Sequence, residues 1–194
     1  MNTLLKKMML ALLALGIGQA VWADDVPDLQ KTLQSARQGN AAAQFNLGLM
    51  YVKGKGGVRQ DYAEAVKWYR QSAKQGFVLA QYNLGVMYGR GLGVRKDDTQ
   101  AVKWYRQAAQ QGFAQAQFNL GAMYYDGLGV RKDYAQAAKW FRQAAQQGNA
   151  RAQYNLGMMY AEGQGVRQNL KVAKEWLGMA CNNGNQSGCE NYRL

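Results

Sequence analysis

The chain has 194 residues, with 24 Lys and Arg against 12 Asp and Glu, a net charge of +12, two cysteines and no histidine. The lack of histidine excludes Ser-His-Asp and Cys-His catalysis, a histidine general base and most zinc sites. The excess of positive charge points toward acidic partners.

The N-terminal segment carries its own signal. Lys6 and Lys7 precede an apolar run from Met8 to Ile17, Val21-Trp22-Ala23 offers small residues at the positions a signal peptidase reads, and Asp24-Asp25 follow. This pattern predicts a cleavable secretory signal peptide over residues 1–23, cut after Ala23, and a periplasmic or secreted product. The run is shorter than the roughly 20 residues a membrane-spanning helix needs, and no later stretch approaches that length, so no transmembrane segment is expected. Losing Lys6 and Lys7 lowers the net charge to +10. Export also argues against nucleic acid as a partner.

From residue 28 onward the chain repeats itself. Trp68, Trp104, Trp140 and Trp176 stand 36 residues apart, and Ala43-Gln44-Phe45-Asn46-Leu47-Gly48 returns at Ala80–Gly85, Ala116–Gly121 and Ala152–Gly157. A fixed period of this size marks stacked units, each too small to bury its own apolar face. The units run 41–77, 78–113, 114–149 and 150–185. A capping helix over 24–40 precedes them and a half-unit over 186–194 follows.

Each unit reads as two short helices. In the first, Ala43, Leu47, Met50 and Tyr51 share one helical face. Gly48, Gly85, Gly121 and Gly157 fall inside it; a mid-helix glycine costs about 1 kcal/mol against alanine, which suggests a neighbouring helix crossing closely there. A loop containing Gly57-Val58 and its equivalents leads to Asp61, Asp97, Asp133 and Asn169, residue types that accept from free amides at a helix start. Glu64, Gln100 and Gln136 follow at capping-box spacing. The second helix is expected to bury Ala65, Trp68, Tyr69 and Ala73 with their equivalents, and to stop at Gly76, Gly112, Gly148 and Gly184.

Three strings, Ala-x-x-x-Leu-Gly-x-x-Tyr, Gly-x-Gly-Val-x-x-Asp and Ala-x-x-Trp-Tyr-x-x-Ala-Ala, carry a close resemblance to the Sel-one-like repeat family, a relative of the tetratricopeptide repeats. The resemblance covers about residues 28–194. It implies an all-α fold, an α/α superhelix of about four helix pairs with a half-unit at each end. It also bears on the cysteines. Cys181 occupies the slot of Ala73, Ala109 and Ala145, and Cys189 that of Gln153; the two slots neighbour one another in an antiparallel helix pair, and an exported compartment permits a bridge. The Cys-x7-Cys element resembles that of cysteine-rich members, where the pair is disulfide-bonded, which implies a Cys181–Cys189 bridge closing the last half-unit. A redox pair is the other reading, though nothing electropositive surrounds the cysteines.

The positive residues fall in register: Lys67, Lys103 and Lys139 before Trp, Arg70, Arg106 and Arg142 after it, and Arg59, Arg95, Arg131 and Arg167 in the loops. Stacking would align them into stripes, either a solvated face or a landing strip for an anionic partner such as glycan, lipid headgroup or acidic protein. Signs of catalysis are sparse. None of Ser35, Ser72 and Ser187 is followed by Lys three residues on, and most carboxylates serve as caps. Glycine-rich stretches such as Gly89 to Gly93 follow helices rather than strands and read as connectors, not phosphate loops. No cofactor or metal is implied.

The repeated Asn46, Asn83, Asn119 and Asn155 admit two readings. An amide both donates and accepts, so it suits an extended peptide, as the matching Asn in tetratricopeptide proteins implies for a concave groove; alternatively it bonds a neighbouring helix. One turn to either side stand Ala42, Leu49 and Lys53; Leu79, Val86 and Arg90; Gln115, Ala122 and Asp126; and Arg151, Met158 and Glu162. These positions vary between units and run from basic to acidic. The expected function is a non-enzymatic scaffold that holds an envelope or host protein or peptide. The family resemblance also implies an alternative, the penicillin binding and weak β-lactam hydrolysis associated with cysteine-rich members. Binding of cell-wall glycan through the basic stripes is a third.

Overall fold

The structure, a computed structural model, describes residues 28–192; the signal-peptide reading lies outside this span. The described residues form ten helices and no strand. Helix α1 (Leu29–Arg37) is followed by four pairs: α2 (Ala41–Lys53) with α3 (Tyr62–Lys74), α4 (Val78–Arg90) with α5 (Asp98–Gln110), α6 (Ala114–Asp126) with α7 (Tyr134–Gln146), and α8 (Ala150–Glu162) with α9 (Leu170–Asn182). The short α10 (Gln186–Tyr192) ends the row. Packing runs chiefly between helices adjacent in sequence, as a linear stack requires.

The helix boundaries follow from side-chain chemistry. Asp61, Asp97, Asp133 and Asn169 each accept a backbone N–H in the first turn of α3, α5, α7 and α9. The second half of the expected capping box does not form. The backbone N–H of each cap donates instead to the carbonyl of Tyr51, Tyr88, Tyr124 or Tyr160 at the end of the preceding helix. That bond folds the loop back onto its own unit and leaves Glu64 to pair with Lys67. The first helices stop at left-handed Gly54, Gly91, Gly127 and Gly163, and the second helices stop before Gly76, Gly112, Gly148 and Gly184, all at positive φ.

Inside each of the first three pairs an aromatic ring lies on a glycine. A Cβ built at Gly48 would sit 2.6 Å from the ring of Tyr69, one at Gly85 2.5 Å from Tyr105, and one at Gly121 2.7 Å from Phe141; at Gly157 it would meet Leu177 at 2.9 Å. The glycine is therefore needed chiefly for the side chain that lies on it, with the carbonyl of Ala65 or Ala173 close behind at Gly48 and Gly157. Beside it Leu47, Leu84, Leu120 and Leu156 are fully buried, each worth about 1.5–3 kcal/mol of transfer free energy.

The tryptophans depart from expectation. Trp104 is buried, but Trp68, Trp140 and Trp176 are half-buried. The fully buried slot is the next residue, Tyr69 or Phe141. The tryptophan slot faces another cluster in the stack: Trp68 packs on Ala36, Leu47 and Met50, and Trp140 on the cluster around Leu120 and Met123.

A buried amide column joins the units. Gln44, Gln81, Gln117 and Gln153 are 3–4% exposed. Each donates through Nε2 to the carbonyl of Ala36, Ala73, Ala109 or Ala145, eight residues earlier, at 3.0–3.2 Å. Each also accepts from Gln75, Gln111, Gln147 or Asn183 at 2.7–2.9 Å. At the C-terminal end these two slots hold Cys181 and Cys189, joined by a disulfide across the same eight-residue separation. The bridge thus stands in place of the Gln-to-carbonyl hydrogen bond. The loops add backbone contacts between units: Cβ atoms at Gly93, Gly129 and Gly165 would lie 2.2–2.3 Å from the backbone of Tyr62, Asp98 and Tyr134 in the preceding unit.

Gly129 and Gly112 both have positive φ, but nothing lies within 4 Å of a Cβ at Gly112. Gly112→Ala is expected to cost roughly 1–2 kcal/mol, the left-handed penalty alone, and Gly129→Ala more than about 3 kcal/mol in urea unfolding. Equal losses would contradict the close loop packing. Burial raises the phenol of Tyr69 and pushes that of Tyr105 up to about 12. Above about pH 10 the unfolded chain therefore binds fewer protons than the folded one, so stability falls as pH rises, by about 1.4 kcal/mol per pH unit for each phenol. The melting temperature should hold to about pH 9.5 and then drop, with the drop reduced in Tyr105→Phe. Cys189→Ser should cost about 2–3 kcal/mol and strip amide-exchange protection from residues 186–192 while sparing α2 to α8. The double change Cys181→Ala with Cys189→Gln should recover part of that loss, and no recovery would refute the equivalence of bridge and amide.

Candidate functional site

The first helices α2, α4, α6 and α8 carry the repeated asparagines. The ring-on-glycine contact decides what those asparagines can do, because it brings the tip of the ring to the next unit. Asn83 lies beside the hydroxyl of Tyr69, and Asn119 beside that of Tyr105, where each offsets part of the rise that burial causes in the phenol pKa. These two residues are half-buried. Asn46 is exposed and Asn155 half-buried. The residue matching Tyr69 for Asn155 is Phe141, which has no hydroxyl to offer.

Asn155 lines a cavity of about 250 Å³ together with Tyr125, Tyr154, Met158, Met159 and Glu162. Tyr125 comes from α6 and the others from α8, so the cavity spans two units. The Tyr125 hydroxyl donates to Gln164 Oε1 at 2.8 Å, and its ring packs edge-on against Tyr134 at 5.1 Å. Burial, then the negative charges of Glu162 and Asp126, raise the Tyr125 pKa. One carboxylate, Glu162, therefore lines the cavity and a second, Asp126, lies beside it on a strongly basic chain. Arg151 sits over the ring of Phe118 at 4.5 Å and so joins α8 to α6 along the same row.

The neighbours of the asparagines are accessible along the whole row. Ala42, Lys53, Leu79, Arg90, Gln115, Asp126, Arg151 and Glu162 are exposed; Leu49, Val86, Ala122 and Met158 are half-buried. Leu49, Val86 and Ala122 lean on core clusters. The structure brings Asn155 and its variable neighbours Met158 and Glu162 to one cavity. Asp126 adds its charge beside Tyr125.

The basic stripes are reshaped. Lys67, Lys103 and Lys139 are exposed, as are Arg59, Arg95, Arg131 and Arg167. Arg70, Arg106 and Arg142 are half-buried and donate at 2.8–2.9 Å to the hydroxyls of Tyr88, Tyr124 and Tyr160 in the following unit. This Arg–Tyr link, like the Gln column, is an interaction the sequence reading did not assign. Its trace was the constant 18-residue offset between the two residue types. Among the described residues no group of three or more His, Cys, Asp or Glu is placed to hold a metal ion, and no helix is long and apolar enough to cross a membrane.

Comparison with known proteins agrees with this architecture. The Sel1 repeat profile matches residues 41–77, 78–113, 114–149 and 150–185. The crystal structure of c5321, a protective antigen of uropathogenic Escherichia coli strains with an SLR fold, is similar at TM-score 0.81 and 43% identity, over 84% of this chain and 35% of that one. A Sel1 repeat protein from Oxalobacter formigenes is similar at TM-score 0.80 and 36% identity, over 84% of this chain and 67% of that one. Helicobacter pylori cysteine rich protein B shares the fold at 22% identity and TM-score 0.54, over 70% of this chain and 98% of that one. The chain spans about a third of the length of the E. coli antigen. No curated protein matches it. Four matched repeats, each folded as a helix pair and stacked in register, make this chain a member of the Sel1 repeat family.

Proposed function

We propose that the chain is an extracytoplasmic scaffold that holds a protein or peptide partner along the row of first helices, with Asn46, Asn83, Asn119 and Asn155 and their variable neighbours as the contact face. The observation that carries this reading is the cavity at the junction of the third and fourth units. There Phe141 replaces the tyrosine whose hydroxyl stands beside the asparagine elsewhere, and Asn155, Met158 and Glu162 line the opening. An amide that can donate and accept, flanked by aromatic and thioether surface, suits a peptide backbone with an apolar side chain. Sel1 repeat proteins are typically protein-interaction scaffolds and generally non-enzymatic.

Charge gives the partner a direction. The face runs from Lys53 and Arg90 to Asp126 and Glu162, so an extended partner with an acidic stretch followed by a basic one fits in one polarity only. Export is supported by the leader-like sequence and by the Cys181–Cys189 bridge, a type of link that persists in oxidising compartments. The 43% identical relative is a protective antigen, which accords with that location.

A photo-cross-linking residue placed at Arg90 or Glu162 is expected to trap the same envelope protein, and one at Gln110, at the end of α5, is expected to trap none of it. Glu162→Lys should weaken capture about tenfold while leaving the melting temperature unchanged, because Glu162 is exposed. Equal capture from Gln110, or capture indifferent to Glu162→Lys, would rule out this face.

A further inference from the structure

We propose that the cavity between α7, α8 and α9 binds a tetrahedral oxyanion, a phosphate or phosphate monoester group. This site is separate from the first-helix face and does not depend on the scaffold reading. It has a volume of about 560 Å³, and Arg142, Tyr160, Val166, Arg167, Gln168 and Asn169 line it. No carboxylate is among its lining residues.

The donors converge by construction of the repeat. Arg142 on α7 donates to the Tyr160 hydroxyl on α8 at 2.8 Å. The hydroxyl oxygen is the acceptor in that bond, so its own hydrogen remains to be donated. Asn169 accepts the Val172 N–H through Oδ1 at 3.1 Å, which leaves its Nδ2 group as a donor. Arg167, exposed in the loop, supplies a second guanidinium. Two guanidinium forks, a phenol and an amide together offer two positive charges and donors for at least three acceptor oxygens. A phosphate dianion meets both counts, whereas a carboxylate has one charge and two oxygens.

The fourth unit differs from its neighbours at the residues that matter. In the second unit the corresponding cavity is lined by Tyr88, Arg95, Lys96 and Asp97, so a carboxylate already occupies it. Lys96 is further engaged by Asp98 at 3.5 Å. The fourth unit has Gln168, Asn169 and Leu170 where the second has Lys96, Asp97 and Asp98. Asn169 preserves the helix cap and removes the charge, so the substitution changes the electrostatics of the cavity without changing the fold.

This contrast provides the test. Inorganic phosphate titrated into the protein at constant ionic strength, followed by calorimetry and by shifts of the Arg and Asn side-chain N–H signals, should show one site with a dissociation constant of a few millimolar or tighter. Acetate should bind at least about tenfold more weakly. Asn169→Asp should keep the melting temperature, since aspartate caps the other three second helices, and should weaken phosphate about tenfold or more. Arg167→Gln should do the same. Phosphate binding unaltered by both changes, acetate binding as well as phosphate, or no binding up to roughly 50 mM phosphate would overturn the proposal.

Discussion

The rest of the fold depends on the contact between a flat side chain and a glycine. With no Cβ at Gly48, Gly85 or Gly121, the ring of Tyr69, Tyr105 or Phe141 lies directly on the helix backbone. That sets the spacing of the two helices in a unit, and the spacing in turn lets Leu47, Leu84, Leu120 and Leu156 reach full burial. It also carries the phenol tips of Tyr69 and Tyr105 out to the next unit, where Asn83 and Asn119 meet them. A single small residue thus governs both the packing within a unit and where the phenol tips meet the next unit.

Adjacent units share apolar clusters, and the polar, directional bonds between them also specify register. The buried glutamines reach one carbonyl behind and accept one amide ahead, and the Arg–Tyr bonds join each second helix to the following first helix. Burying an amide is unfavourable unless its partners are present, so a slipped stack would leave these groups unsatisfied. At the C-terminal end no further unit exists within the described residues to complete the pattern after α10. There the covalent Cys181–Cys189 bond takes the slot of the hydrogen bond. A covalent link does not require a neighbour to shield it from water.

The two proposed sites lie where the repeat departs from itself. Replacing a tyrosine with Phe141 alters what faces Asn155, and replacing an aspartate with Asn169 alters the charge of the loop-edge cavity. Both changes leave the packing role of the slot intact: Phe141 is still buried on its glycine and Asn169 still caps its helix. A repeat protein can in this way vary its surface one unit at a time at little cost in stability.

The sequence by itself determined the helix pairs, the caps and stops of the second helices and the number of units, because these depend on local chemistry and on a period that four copies display; the cysteine closure came from the family resemblance. It also pointed to the variable positions beside the asparagines. It did not assign the tryptophan slot correctly, since the difference between Trp68 and Tyr69 lies in which neighbouring cluster each one meets. Nor did it distinguish the arginines tied to tyrosines from those left in solvent, or Asn83 beside a phenol from Asn155 beside a cavity. Those distinctions belong to the tertiary structure, because they turn on how one unit is rotated against the next and on the residue type supplied by the neighbour across that junction.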